Sequence, residues 1–238
     1  MTGHALRFIL LFCCVGAIAA YADGPGPSRI VISIKEQKLM VMENGMKIAV
    51  YPVSTSKFGM GDAWGSMATP LGFMQVVQKI GDHAPIGAVF HNRRFTGEVL
   101  PPNAPGRDPI TTRIMWLRGL QPENAHAFSR CIYIHGTTEE KFIGRPASYG
   151  CIRMKAADVA QLYSEVPLGA IVEVTTDKLP NVPKAPKGTV FMANEIAQTQ
   201  TPAVPVIKAQ DEPVEPWQEN ASGSKRNNAR DAAVAKRL

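Results

Sequence analysis

The chain has 238 residues, a length that accommodates one ordinary domain with terminal appendages. Its 26 lysines and arginines exceed its 20 acidic residues, for a formal net charge of +6. Between residues 23 and 175 the excess falls to +3, from 16 basic and 13 acidic residues. The basic residues are scattered and form no basic-aromatic strip, so the charge does not predict nucleic-acid binding. A mild positive surface would favour an anionic polymer, and an ordinary solvated surface explains the charge equally well.

The first 22 residues have the pattern of a secretory signal peptide. Arg7 supplies the positive n-region, residues 8–20 are apolar, and Ala20-Tyr21-Ala22 matches an A-x-A cleavage box. Cleavage there predicts a mature chain that begins at Asp23 and is exported to the periplasm or cell wall. The alternative is an uncleaved membrane anchor, but the apolar run is short for a span of ~20 residues. We therefore expect no stable membrane span after cleavage.

Strand signals dominate the middle of the chain. Apolar, largely β-branched runs predict strands at 30–34, 39–42, 48–53, 73–80, 110–117, 131–135 and 171–174. Asn44-Gly45 between the second and third runs predicts a hairpin, because both residues tolerate positive φ. Residues 56–72 and 81–110 are rich in Gly, Pro and Asp and are predicted to be long loops. We expect one of these loops to cover the cleft beside Cys151.

One helix follows, and the composition then changes. Val159, Leu162 and Tyr163 share a face at helical spacing, which predicts a helix over residues 155–163 that ends before Pro167. The sequence thus predicts a mainly-β domain with one or two helices. Residues 176–238 are rich in Pro, Ala and Lys and are predicted to form a largely disordered tail, passive rather than a tether.

Two cysteines remain once the signal peptide is removed, Cys131 and Cys151. An exported chain with two cysteines suggests a disulfide. If Cys131 begins a strand that ends at His135, the two residues lie about 13 Å apart at ~3.3 Å per residue. With Cys151 beside His135, the cysteines would then be too distant to bridge. We therefore expect free thiols, with Cys131 buried as a small hydrophobic residue.

Cys151 has the sequence context of a nucleophile. It follows Gly150 and precedes Ile152-Arg153, and His135 lies sixteen residues upstream at the end of an apolar run. A thiol with a pKa near ~8.5 is only slightly ionised at neutral pH and needs an imidazole or a positive charge nearby. His135 and Arg153 are the local candidates for those roles. The remaining histidines, His83, His91 and His126, have no mutual ligand spacing, so we predict no metal site and no cofactor.

The segment Ile134-His135-Gly136-Thr137, followed by Ser148-Tyr149-Gly150-Cys151-Ile152-Arg153-Met154, resembles the signature of the L,D-transpeptidases, the YkuD family of bacterial cell-wall enzymes. Similar family elements occur in the expected order at residues 38–45, 51–56, 68–73 and 169–174. The resemblance covers roughly residues 29–175 and implies a catalytic domain at 23–175. Its fold would be a curved β-sandwich with the catalytic motif between a strand and a helix and with long loops over the site. In one departure, Tyr149 stands where many members have histidine.

The resemblance also implies roles for single residues. Cys151 would be the nucleophile and His135 the general base, with its imidazole oriented by the carbonyl of Gly136. The backbone N–H groups of Gly150 and Cys151 would form an oxyanion hole, because glycine lets the backbone approach the substrate carbonyl. Tyr149 would add its own N–H and line the acyl pocket with its ring.

Ser148 and Arg153 complete the predicted site. We expect Ser148 to fix the loop by hydrogen bonding rather than to carry a proton. For Arg153 two roles remain open, anchoring a substrate carboxylate through its planar fork or holding the loop by bonding backbone carbonyls. Tyr133 shares the strand face of His135 and would line either the cleft or the core. Glu139 and Glu140, in the following loop, are expected to be solvated.

The resemblance implies an exported enzyme that acts on peptidoglycan stem peptides. Cys151 would attack the carbonyl of the L-centre of diaminopimelate in a tetrapeptide stem, release D-alanine, and pass the acyl group to an amine of a second stem. The product is a 3→3 cross-link made by ping-pong chemistry. Carbapenem-type β-lactams would acylate Cys151.

Other acceptors stay open. Water, a free D-amino acid or a lipoprotein lysine would make the protein a carboxypeptidase or endopeptidase, an exchange enzyme, or an anchoring enzyme. A hypothesis from another class is a non-catalytic wall-binding protein. It would predict that the cysteine or the histidine is missing, whereas Cys151 and His135 are both present.

Overall fold

The computed structural model describes residues 29–186. The expected signal peptide and most of the expected tail lie outside the described residues. Within them the elements are β1 Arg29–Ser33, β2 Lys38–Glu43, β3 Met46–Pro52, β4 Gly72–Ile80, β5 Ala88–His91, β6 Arg94–Val99, β7 Ile110–Gly119, β8 Tyr133–Thr137, β9 Ile152–Met154, α1 Ala156–Glu165 and β10 Ile171–Thr175. Short 3-10 turns occupy Pro122–Asn124 and Glu140–Phe142. The prediction of a mainly-β domain with one or two helices is confirmed.

The strands form one mixed sheet in the order β3-β2-β1-β10-β4-β7-β5-β6, and β8 and β9 continue from β7 as a branch. The pairs β1–β10 and β8–β9 are parallel, and the other neighbours are antiparallel. The main core lies against α1 and is lined by apolar side chains from β1, β2, β4, β7, β8, β9 and β10. The branch strands β8 and β9 therefore rest on this core, which makes them a rigid base for a site.

Helix α1 follows β9 directly. Val159, Leu162 and Tyr163 are buried on one face, as their spacing predicts. The residue before the helix, Lys155, provides no side-chain cap, and the carboxylate of Glu140 accepts the Ala156 N–H at 2.8 Å instead. A carboxylate at a helix N-terminus accepts a hydrogen bond from an otherwise unpaired N–H and interacts favourably with the helix dipole. The expectation that Glu140 is simply solvated is therefore wrong.

The sequence predicts one of the following two hairpins but not the other. The β2–β3 turn has φ values of 50° at Asn44 and 73° at Gly45, as predicted. Part of the stretch predicted as a loop at 81–110 is a second hairpin, β5–β6, and the loop prediction is wrong there. Its turn residues Asn92 and Arg93 also have positive φ, 48° and 63°. Arginine is an unusual residue for such a turn, and the exposed β6 strand carries no apolar alternation that would reveal it.

The chain beyond β10 runs back along the outer edge of the sheet. Lys47 of β3 donates its N–H to Pro183 O at 2.8 Å and accepts the Ala185 N–H at 2.9 Å. Leu179 and Val182 pack against a small cluster of buried side chains from β1 and β2. This segment thus pairs the backbone N–H and C=O of Lys47 on the edge strand β3. No helix in the described part of the chain is long and apolar enough to span a bilayer.

Candidate active site

The site lies where β8 and β9 run side by side. Their parallel register pairs Ile134 with Ile152 and His135 with Arg153. Because side chains alternate along a strand, the two isoleucines enter the core, and His135 and Arg153 point to the opposite face. Cys151 directly precedes β9, and its sulfur accepts the backbone N–H of Tyr133 at 3.4 Å. The nucleophile, base and arginine candidates are therefore brought to one face of two adjacent strands.

A tight turn presents Cys151. The Ser148 hydroxyl donates to the Cys151 carbonyl at 2.6 Å and accepts the Gly150 N–H at 3.3 Å, so Ser148 fixes this turn. Gly150 has a φ of 124°, which side chains other than hydrogen rarely allow. Thr69 donates its hydroxyl to the Gly150 carbonyl at 3.0 Å. The turn is thus held from within by Ser148 and from outside by the residue 56–72 segment.

The Cys151 thiol is half-buried. Its S–H donates to the Cys131 carbonyl at 3.3 Å. Burial raises the pKa of Cys151 to about 11, and the Tyr133 N–H pulls this pKa down because it stabilises the thiolate. At neutral pH the resting group is therefore the thiol.

Cys131 is not where the sequence predicts it. Strand β8 begins at Tyr133, and Cys131 occupies the preceding turn with a φ of 57°. Its carbonyl contacts the Cys151 thiol, so the argument that distance separates the two cysteines is wrong. Both thiols are nevertheless free, as expected, and Cys131 is half-buried rather than fully buried.

His135 is buried, and a hydrogen bond to the backbone orients its imidazole ring. Its Nδ1 lies 2.7 Å from the carbonyl oxygen of Gly136. Because a carbonyl only accepts, Nδ1 carries the proton and Nε2 is left as the basic nitrogen. Burial lowers the pKa of His135 to about 4; the Gly136 carbonyl acts in the opposite direction, and the charge of Arg153 lowers this pKa further. The resting pair is a neutral imidazole and a neutral thiol.

The backbone at Gly136, next to His135, is tightly packed against β7. A Cβ at Gly136 would lie 2.8 Å from the carbonyl oxygen of Thr111 and 2.9 Å from its hydroxyl. Strand β7 bulges at this point, between Thr111 and Ile114 in its pairing with β8. Thr112, within the bulge, has a φ of 69°, a costly conformation for a β-branched residue. Close approach of β7 to Gly136 thus fixes the carbonyl that orients the imidazole.

Arg153 is held by acidic side chains. Its Nη1 lies 2.8 Å from an Asp108 carboxylate oxygen and 3.3 Å from one of Glu139, and its side chain is only 9% exposed. Asp108 also accepts a hydrogen bond from the Thr137 hydroxyl. These contacts match neither backbone-carbonyl bonding nor an accessible guanidinium. Glu139 is paired with Arg153, and its side chain is also 36% exposed to solvent. Asp108 was missed because no sequence spacing links it to Arg153.

The opposite side of the turn is exposed. Tyr149 is 56% exposed and accepts a hydrogen bond from Lys57 Nζ at 3.0 Å. Its ring lies 5.6 Å from that of Phe58 and 5.8 Å from the guanidinium carbon of Arg153. Of the predicted long loops, residues 56–72 contact the turn itself. The 81–110 segment contributes Arg93, whose guanidinium donates to the Tyr133 hydroxyl at 3.4 Å.

Metal ligation has no candidate in the part of the chain that the structure describes, where no three His, Cys, Asp or Glu side chains cluster suitably.

Comparisons with known proteins agree on a family. The model of the L,D-transpeptidase catalytic domain, YkuD, matches residues 27–174. A putative L,D-transpeptidase of Bacillus subtilis, YqjB, is 26% identical over 176 residues, which are 72% of this chain and 87% of the relative.

Solved structures with a similar fold include three L,D-transpeptidases. One from Xylanimonas cellulosilytica is 18% identical with a TM-score of 0.42, covering 63% of this chain and 61% of the other. L,D-transpeptidase 3 from Mycobacterium tuberculosis, with a faropenem-derived adduct, is 19% identical with a TM-score of 0.41, covering 62% and 59%. LdtMt1 in complex with imipenem is 20% identical with a TM-score of 0.39, covering 62% and 58%. The chain spans about three fifths of these solved chains. From the match of the catalytic-domain model to most of the chain, we conclude that this protein belongs to the YkuD family of L,D-transpeptidases.

Proposed function

We propose that this chain is an exported L,D-transpeptidase that forms 3→3 peptidoglycan cross-links through an acyl-enzyme on Cys151. The observation that carries the proposal is the arrangement on β8 and β9. Parallel pairing brings the Cys151 turn and His135 to one face, and the Gly136 carbonyl leaves Nε2 of His135 unprotonated, which supports a role as base. A cysteine nucleophile with an oriented imidazole is the arrangement that acyl transfer requires.

The first half-reaction starts from neutral groups. As the Cys151 sulfur attacks the carbonyl of the L-centre of diaminopimelate, its proton passes to Nε2 of His135. The oxyanion is stabilised by the backbone N–H groups of Tyr149 and Cys151, because the Gly150 N–H, also expected to contribute, donates to the Ser148 hydroxyl. The imidazolium then protonates the amine of D-alanine as the C–N bond breaks. Because burial lowers the pKa of His135 to about 4, the imidazole is unprotonated at neutral pH and is free to accept the proton.

The second half-reaction transfers the acyl group to an amine. His135 takes a proton from the attacking amine of a second stem, and the Cys151 thiolate leaves and is reprotonated. The proposed partners are therefore peptidoglycan stem peptides, and the course needs no cofactor. Water, a free D-amino acid or a lipoprotein lysine would follow the same course and remain the alternative acceptors. Carbapenem-type β-lactams would acylate the same sulfur.

The proposed location follows from the N-terminus. Residues 1–22 would be removed as a signal peptide on export to the periplasm or cell wall, leaving a catalytic domain at 23–175 and a tail at 176–238.

Product analysis tests this proposal. Purified residues 23–238 are incubated with a disaccharide-tetrapeptide and the products are weighed by mass spectrometry. We expect a dimer that lacks one D-alanine, absent with Cys151→Ala. A tripeptide without dimer would replace transpeptidation by hydrolysis. Absence of product and of any protein adduct would contradict the enzymatic proposal and favour the non-catalytic wall-binding protein.

A further inference from the structure

Lys57 places an ammonium group beside the nucleophile turn without a carboxylate to neutralise it. Among residues 29–186 Lys57 makes no ion pair. The nearby guanidinium of Arg153 differs, because it is buried and already paired with Asp108 and Glu139. If the site recognises an anion, the positive charge of Lys57 is available to bind it, whereas that of Arg153 is already neutralised by Asp108 and Glu139.

Backbone hydrogen bonds hold Lys57 close to Cys151. Its N–H donates to the Ser148 carbonyl at 3.1 Å, and the Ser148 N–H donates to Thr55 O at 2.9 Å. Lys57 is thus paired to the segment that leads into the nucleophile turn. The ring of Tyr149 lies 5.8 Å from the guanidinium carbon of Arg153, which is on the same face as His135. The Lys57–Tyr149 pair therefore borders the reactive face.

Two aromatic rings orient the ammonium without removing its charge. Lys57 Nζ lies 4.3 Å from the ring centroid of Tyr149 and 5.2 Å from that of Phe58. It also donates to the phenol oxygen of Tyr149 at 3.0 Å. Such contacts position a cation at modest cost in desolvation and leave its remaining N–H donors directed outward. The phenol adds a hydroxyl donor beside the cation.

We propose that Lys57 and Tyr149 form a carboxylate-binding subsite for the peptide substrate. The inference rests on the proposed function and names the group that is recognised. A stem peptide offers two such groups, the C-terminal carboxylate of the leaving D-residue and the side-chain carboxylate of diaminopimelate. Either would receive a charge-assisted hydrogen bond from Lys57 Nζ and a second bond from the Tyr149 hydroxyl.

Two alkylating agents test the subsite without turnover. Iodoacetate carries a carboxylate and iodoacetamide is its neutral counterpart, and each rate constant at Cys151 is followed by peptide mass spectrometry. We expect Lys57→Met to lower the iodoacetate-to-iodoacetamide ratio about 3- to 5-fold, while Lys57→Arg retains most of it. Lys47→Met, at the far end of β3, is the control for net charge. An equal ratio in Lys57→Met and Lys47→Met would overturn the subsite, even if the enzyme forms cross-links.

Amidated donor peptides identify the carboxylate. We expect Lys57→Met to raise KM for the free-acid tetrapeptide about 3- to 10-fold with a smaller change in kcat, because a uniform binding contact is lost. One donor peptide is amidated at the C-terminal carboxylate of the D-residue and another at the diaminopimelate side chain. The recognised carboxylate is the one whose amidation gives the wild type and Lys57→Met the same KM. A KM effect that persists with both amides would overturn carboxylate recognition. Tyr149→Phe should show part of the effect, since it removes the hydroxyl and keeps the ring.

Discussion

The two sides of the turn at Cys151 are built differently. On the strand side, His135 and Arg153 lie on β8 and β9 and are nearly inaccessible. Nδ1 of His135 is paired with the Gly136 carbonyl, and Arg153 is paired with Asp108. On the loop side, residues 56–72 and Tyr149 expose large, mostly apolar side chains, which are Phe58 (51% exposed), Met60 (50%), Trp64 (56%), Met67 (48%) and Tyr149 (56%).

We expect the strand side to carry the proposed chemistry and the loop side to bind the substrate. Proton transfer needs atoms held within a fraction of an ångström, which a packed sheet provides. Recognition needs accessible surface, which loops provide. The loop side is nevertheless anchored, because Arg130 pairs with Asp62 at 2.9 Å and donates to Ala68 O at 2.7 Å. Its exposed side chains therefore stand on a fixed backbone.

Substitution of the proposed nucleophile gives the largest expected effect. Cys151→Ala should lower transpeptidation at least about 10³-fold, since removing a covalent nucleophile leaves only binding and oxyanion stabilisation. Cys131→Ala is the matched control, because Cys131 contacts the thiol through its backbone carbonyl, which alanine keeps. Steady-state rates measure both. An equally large loss in Cys131→Ala would show that the thiols act together and would break the comparison.

The pH dependence of alkylation comes next. With the pKa of Cys151 at about 11 and that of His135 at about 4, the pair stays neutral between these values. The rate of iodoacetamide reaction at Cys151 should therefore rise about tenfold per pH unit from pH 7 to pH 10, because only the thiolate reacts. A rate that is already at its plateau at pH 6 would reveal a thiolate–imidazolium pair and contradict the neutral resting state.

Gly136 probes how tightly the strand side is packed. Gly136→Ala should lower the free energy of unfolding by roughly 2–4 kcal/mol, because its Cβ meets the Thr111 backbone. Gly97→Ala is the control, with a φ of 87° and open space around the new Cβ, and should cost about 1 kcal/mol. Urea unfolding measures both. Equal costs would mean that β7 yields and does not fix the Gly136 carbonyl.

Substitution of Asp108 gives the smallest expected effect among the changes on the strand side. Asp108→Asn removes a charge that faces Arg153 and that raises the pKa of His135, so the base becomes weaker. We expect kcat to fall about 10-fold, with KM changing less, and the acid limb of the pH profile to move to lower pH. Glu98→Gln, in the exposed pair with Arg107, is the control and should change little. An unchanged pH profile in Asp108→Asn would show that the Asp108–Arg153 ion pair does not influence the pKa of His135.

Sequence patterns predicted the elements that depend on local rules. The Asn44-Gly45 hairpin, the buried face of α1 and the strand that contains His135 follow from turn chemistry and periodicity, although that strand continues to Thr137 rather than ending at His135. The β5–β6 hairpin was missed because its turn uses Asn92-Arg93 and one strand is exposed. Cys131 was misplaced because a continuous apolar run hides the turn before β8.

The sequence predicted which residues lie together at the candidate site, but not the side chains that contact them. Motif spacing named Cys151, His135, Gly136 and Ser148, which the fold brings to adjacent strands and one turn. Partners from distant segments, such as Asp108 for Arg153 and Lys57 for Tyr149, depend on how loops return to the sheet. No local pattern encodes such long-range contacts.

Trapping the acyl-enzyme tests the central claim most directly. A tetrapeptide whose free amine is acetylated cannot serve as acceptor, so the acyl group should accumulate on the protein. Intact-protein and peptide mass spectrometry should show a tripeptide adduct on the peptide that contains Cys151, with one D-alanine released per adduct. Release of D-alanine by a Cys151→Ala protein, or an adduct on any other residue, would contradict Cys151 as the nucleophile.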